Sequence, residues 1–95
     1  MTPLARESAE LLATQALAWL VGNDDLLPVF LGTSGAGETD IRARARDPEF
    51  LGSVLDFLLM DDAWISAFCD SANYTYDQPM RARAALPGGA QTNWT

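Results

Sequence analysis

The longest apolar run in the chain is Phe50 to Met60, FLGSVLDFLLM, in which only Ser53 and Asp56 keep a thin polar stripe. At helical spacing Phe50, Val54, Phe57 and Leu58 share one face, and Leu51, Leu55 and Leu59 another. A helix apolar on so many sides belongs in the middle of a fold. Asp47-Pro48-Glu49 precedes it: an N-cap carboxylate, a proline where its missing N–H has no helical partner, and an acid at the positive helix end. The pattern predicts a central buried helix over about 48–60, too short to cross a bilayer, which needs about 20 apolar residues.

Around it the same reading predicts four or five more helices. Thr2-Pro3 opens the first, which runs to about Val21 with Leu12, Ala16, Trp19 and Leu20 as its core face and Glu7, Glu10 and Thr14 towards water. Gly22-Asn23 ends it in a left-handed turn. Asp24 or Asp25 caps a short helix over Leu26 to Leu31; Gly32, Gly35 and Gly37 form a turn; and a third helix spans about Thr39 to Arg46. After the central helix, Asp61-Asp62 starts a fifth bearing Trp64, Ile65, Phe68 and Cys69, with Asn73 as its stop. Thr75 and Gln78 have capping-box spacing for a sixth that runs to about Leu86, with Pro79 in its first turn. The expected fold is all-α: a compact bundle of five or six helices, one domain over residues 1–87, with a poorly ordered tail over 88–95 that includes Trp94.

The pattern also repeats. Trp19-Leu20, Asp24, Leu27 and Phe30 lie 38 positions before Phe57-Leu58, Asp62, Ile65 and Phe68. After a slip of one residue in the turn, Ile41-Arg-Ala-Arg-Ala45 lies over Met80-Arg-Ala-Arg-Ala84, and Pro48 over Pro87. The expectation is two copies of a three-helix unit sharing one core, with Phe30 and Phe68 in related places.

Composition narrows the function. The chain has 95 residues and a net charge of −7, with six Arg, no Lys and no His. That charge disfavours sequence-independent binding to nucleic acid or to an anionic membrane. The single Cys permits no internal disulfide. Leu11 to Val21 reads as a core helix rather than a signal peptide, since Glu7 and Glu10 stand where positive charge is needed. A cytoplasmic protein is expected.

Candidate chemistry is sparse. Gly32-Thr-Ser-Gly-Ala-Gly37-Glu38-Thr39 has P-loop spacing, but Glu38 replaces the lysine that would hold phosphate. The acid pairs Asp24-Asp25 and Asp61-Asp62 lack the alternating oxygen ligands of a calcium loop and read as caps. Cys69, with neither a His nor a nearby cation in sequence, reads as a buried inert thiol. No catalytic residue, metal ligand or cofactor is assigned, and no enzyme activity is expected. The least ordinary feature is five clustered arginines: Arg42, Arg44, Arg46, Arg81 and Arg83. The favoured role is structural, with Arg42 and Arg81 forking onto acidic caps; an exposed site for an acidic partner is the rival.

The run ending Ala16-Leu-Ala-Trp-Leu20, the central D-P-E-F-L-x-x-V-L-D-F-L-L of Asp47 to Leu59, and the closing A-R-A-A-L-P-G-G of Ala82 to Gly89 carry a resemblance over nearly the whole chain. They resemble a small alphaproteobacterial family, domain of unknown function 3572. The resemblance implies a helical bundle and no activity, cofactor or site residues. The Gly35-Ala-Gly37 turn and Pro79 depart from the pattern.

Two functions of different class remain. The first is a non-catalytic interaction or regulatory module that binds an unknown protein partner or itself through an apolar groove between the repeats, with an exposed apolar patch at Trp64 or Tyr74. The second is a nucleic-acid-associated protein with all five clustered arginines on one open face. A small carboxylate-based enzyme ranks third.

Overall fold

The computed structural model describes residues 4–35 and 37–87. Among them the fold is all-helical: α1 (Arg6–Val21), α2 (Leu27–Ser34), α3 (Glu38–Arg44), α4 (Pro48–Leu58), α5 (Asp62–Ala72) and α6 (Gln78–Ala85). Thr2, Pro3 and the tail over 88–95 lie outside the described residues.

Local chemistry starts most of these helices. The Asp47 carboxylate accepts the Glu49 N–H at 3.0 Å, and the Asp61 carboxylate accepts the Ala63 N–H at 2.8 Å. Each satisfies an amide that has no partner within its helix. Thr75 N–H donates to the Gln78 side chain at 2.8 Å, the reach-back half of a capping box. Gly37 N–H donates to the Asp40 carboxylate in the same way at 3.0 Å.

Several boundaries differ from expectation. Asn23, rather than Asp24 or Asp25, organises the entry to α2: its side-chain oxygen accepts from the N–H groups of Asp25 and Leu26. Gly22 closes α1 with φ −83°, not in a left-handed turn, because its N–H continues the helix onto the Ala18 carbonyl. Gly32 falls inside α2, which runs on to Ser34. The left-handed residues are Gly35 at φ 74° and Asn73 at φ 63°, which end α2 and α5. These fittings match in pairs 38 positions apart: Asn23 with Asp61, Gly35 with Asn73, Gly37 and Asp40 with Thr75 and Gln78.

Burial organises the rest. On α4, Phe50, Leu51, Gly52, Val54, Leu55, Phe57 and Leu58 are buried. They meet Ala9, Leu12, Ala13, Ala16, Leu17 and Leu20 of α1 in one core. α1 lies against α2, α4, α5 and α6, and α4 against α1, α5 and α6. Small side chains on α1 admit close approach, and the aromatics fill what remains. Phe30 of α2 meets Phe57 edge-on with ring centroids 5.3 Å apart, and Phe68 of α5 meets Trp19 edge-on at 6.0 Å. α2 and α5 thus each send a Phe to an aromatic ring of α4 and of α1 respectively.

The third helix of each half behaves differently. α6 packs against both α1 and α4, whereas α3 is only lightly held. α3 buries Ile41 and half-buries Ala45; α6 buries Pro79, Ala82 and Leu86. The shared R-A-R-A run therefore does not occupy matching places: Ala82 is fully buried and Ala43 exposed, Ile41 buried and Met80 exposed. Pro79 is the extra residue, and one residue inserted in a helical turn rotates the remainder of the helix by about 100°. Held at 38 throughout, the register pairs Ile41 with buried Pro79 and Ala45 with Arg83.

Candidate functional site

The arginines do not share a face. Arg83 leaves α6 and forks onto Asp56 of α4, with Nε to Oδ1 at 2.6 Å and Nη2 to Oδ2 at 3.0 Å. Its remaining terminal nitrogen donates to the Pro87 carbonyl at 2.9 Å. Gly52 makes room for this: a Cβ there would lie 2.8 Å from Nη1 of Arg83. Arg81 pairs with Asp77 at the start of its own helix at 3.4 Å. Arg44 lies over the Phe50 ring, 4.9 Å from its centroid, and 3.8 Å from the Asp47 carboxylate. Of the ties expected of Arg42 and Arg81 onto acidic caps, Arg81 makes one, to the N-cap Asp77 of its own helix, while the bidentate fork is made by Arg83 onto Asp56 within α4.

Arg42 and Arg46 are exposed, and neither has an ion-pair partner among the described residues. They are one turn apart at and just beyond the end of α3. All four other arginines are within ion-pair distance of a carboxylate.

Trp64 and Tyr74 are not an exposed patch. Trp64 is half-buried and stacks on Phe57 with centroids 4.7 Å apart. Tyr74 is half-buried against Phe68 and donates its hydroxyl to the Gln15 side chain. Partial burial pushes its phenol above the ordinary value. Both are large rings drawn onto aromatic neighbours of the core, which spacing along one helix does not reveal.

The open apolar surface lies elsewhere, in a groove of about 500 Å³ between α1, α2 and α3. α1 supplies Thr14, Leu17, Ala18 and Val21; α2 supplies Leu27; α3 supplies Ile41, Arg42 and, just past its end, Ala45. Among the described residues, Arg42 is the one charged group on its walls. Its volume falls in the range of binding clefts, and its surface is largely apolar. Sequence reasoning placed Thr14 towards water and passed over the wall it belongs to. The signal was a second stripe on α1, Leu11, Thr14, Ala18 and Val21 at spacings of three, four and three. Its large members, Leu11 and Val21, are 58% and 47% exposed.

A second hollow, of about 350 Å³, lies between the end of α4, α5 and α6; it is bounded by Leu59, Ile65 and Met80, which lie 38 beyond Val21, Leu27 and Arg42, and by Asp62, Ser66 and Tyr76. Where the first half has Thr14, Ala18 and Ala45, the second has Gly52, Asp56 and Arg83. The guanidinium crosses Gly52 to reach Asp56 and bridges α4 to α6. Two alanines cannot do this, so the first groove stays open.

Two further side chains bear on chemistry. Cys69 is buried and donates weakly to the Thr75 carbonyl at 3.5 Å; desolvation, then the nearby Asp70 and Asp77 charges, raises its pKa, which keeps the thiol protonated. Tyr76 donates to Asp70 at 2.8 Å, and that hydrogen bond pushes its phenol upward. Neither lies on the α1–α2–α3 groove, and Tyr76 borders the second hollow.

A family model described as "Protein of unknown function (DUF3572)" matches residues 6–89. Neither a curated protein nor a solved structure matches.

Proposed function

The chain belongs to the DUF3572 family, whose description names no activity, so its role has to come from its own surface, and we propose that it is a non-catalytic interaction module that takes a helix of a partner protein into the α1–α2–α3 groove. The observation that carries this is a difference at matching positions: a bidentate Arg83–Asp56 bridge joins α6 to α4, while Ala45 and Ala18 stand at those places on the walls of the α1–α2–α3 groove. A helix laid in an apolar groove is a recurrent recognition mode, read by anchors at helical spacing. The Leu11–Thr14–Ala18–Val21 stripe offers such a seam, with small residues in the middle where a partner backbone can approach. We read the two halves as copies of one ancestral unit, of which one kept its groove and the other sealed it. The buried, protonated thiol suits a reducing cytoplasm. Among the described residues no helix is long and apolar enough to cross a membrane.

The nucleic-acid reading is supported less well. It needs five arginines on one face, and Arg44, Arg81 and Arg83 are turned onto carboxylates on three different segments.

The test copies the second half's own lock into the first. The double variant A18D/A45R places Asp and Arg where Asp56 and Arg83 stand, and fills the groove with two long polar side chains whether or not the guanidinium passes Thr14, which stands where Gly52 does. Proteins captured from cell extract by the wild type and re-bound as purified partners should be lost on the double variant with its thermal midpoint intact. Partners held equally by both forms would refute docking in this groove.

A further inference from the structure

Resting on that docking reading, we infer that the groove's partner is an acidic amphipathic helix, whose carboxylates meet Arg42 and Arg46 while its apolar face covers Leu17, Ala18 and Ile41. Leftover charge points to this partner. The chain carries 13 acidic residues against six arginines, so a cation without a carboxylate partner is the exception. Among the described residues four arginines are matched, and the two that are not are Arg42, on the wall of the open apolar groove, and Arg46, four residues on and just past the end of α3. Arg42 lines the groove itself, and Arg46 stands one turn further along. Acids spaced three or four apart on a helix form one row, which can lie along the α3 edge as apolar anchors on the adjoining face enter the groove. Guanidinium groups suit carboxylates because their planar fork binds both oxygens. The remaining negative charge of the chain would repel such a helix elsewhere, which favours this one site over others.

Three labelled sixteen-residue peptides provide the probe: one with leucines at helical spacing and a glutamate row beside them, one with lysines replacing the glutamates, and one with the glutamate sequence scrambled. Fluorescence anisotropy gives their affinities, and amide chemical shifts of the ¹⁵N-labelled full chain give the place of binding. The glutamate peptide should bind about tenfold tighter than the lysine peptide, as expected when two exposed attractions become repulsions. Its shifts should centre on Leu17, Ala18, Ile41 and Arg42, and added salt should narrow the difference. R42Q/R46Q should remove or reverse the preference for the glutamate peptide without abolishing binding, and A18D/A45R should abolish both. Equal or reversed preference in the wild type, with shifts still in the groove, would overturn the acidic partner and leave the docking reading standing. Failure of every peptide to shift the groove residues would overturn both. A single-stranded DNA oligonucleotide that shifts Arg42 and Arg46 but leaves Leu17 and Ala18 unmoved would overturn the helical partner in favour of a polyanion.

Discussion

α3 and α6 begin from the same fittings and end in different places. In each, a left-handed residue closes the preceding helix, and a side chain three residues on accepts the first amide. Yet α6 is clamped to α4 by Arg83 and Asp56, while α3 stands off α1 across an open groove. Matching local chemistry set matching turns; the side chains at two facing positions decided whether the turns led to a closed contact. Alanine at both leaves a groove, and a charge pair bridges it.

The largest expected effects test whether the two halves share their core on equal terms. Phe30→Ala and Phe68→Ala each empty a site that is almost fully buried, and each should cost about 3–5 kcal/mol in denaturant unfolding. Similar losses would support the reciprocal arrangement with Phe57 and Trp19. A large loss at only one would mean that one half carries the core.

The bridge comes next. Arg83→Ala removes a fork on a carboxylate that is itself well exposed, so screening by water limits the cost to about 1 kcal/mol. Gly52→Ala gains about 1 kcal/mol of helix propensity but pushes against the guanidinium, which leaves the wild-type background near neutral. In an Arg83→Ala background the same change should stabilise by about 1 kcal/mol, a coupling that a double-mutant cycle reads directly. At the matching place of the first half, Thr14→Ala has no guanidinium to relieve, since Ala45 stands where Arg83 does, and should show helix propensity alone.

The paired helix ends should differ by residue type. Gly35→Ala puts a Cβ into a left-handed conformation and should cost about 1 kcal/mol, while Asn73→Gly should change stability by a few tenths at most. Smaller still is an acid-dependent contribution at the start of α6. A hydrogen bond from Thr75, then the backbone and Arg81, holds the Asp77 carboxyl below its usual range. Its folded value is depressed, so the contribution is complete above the unfolded value and disappears as pH falls through the folded one. The stability gap between wild type and Thr75→Ala should therefore be constant above about pH 5 and close below about pH 4. Gly37 has no hydroxyl to offer, so α3 should show nothing comparable.

What could be seen in the sequence was mostly local. Asp47, Asp61 and the Thr75–Gln78 pair were legible because a cap depends on residues within one turn. The burial of Phe50 to Leu58 was legible because an apolar run leaves no other place for it. Asn23 was harder, since Asp24 and Asp25 beside it are equally good caps and only the chain path decides between them. The R-A-R-A match misled about position, because Pro79 sets the motif one residue further along α6 than along α3, and one residue is about 100° of helix rotation. The groove was hidden for another reason: it rests on Ala18 facing Ala45 across 27 residues of chain, and alanine gives no signal on its own. The rings of Trp64 and Tyr74 went inward because Phe57 and Phe68 receive them, and a spacing pattern does not say which ring meets which.

On the proposed reading the α1–α2–α3 groove takes a helix and the hollow beside α4 and α6 does not, and peptide stoichiometry measured by calorimetry tests that difference most directly. With the glutamate peptide, the wild type should bind one equivalent, A18D/A45R none, and D56A/R83A should gain a second, weaker site at Leu59, Ile65 and Met80. Undiminished binding by A18D/A45R would contradict it.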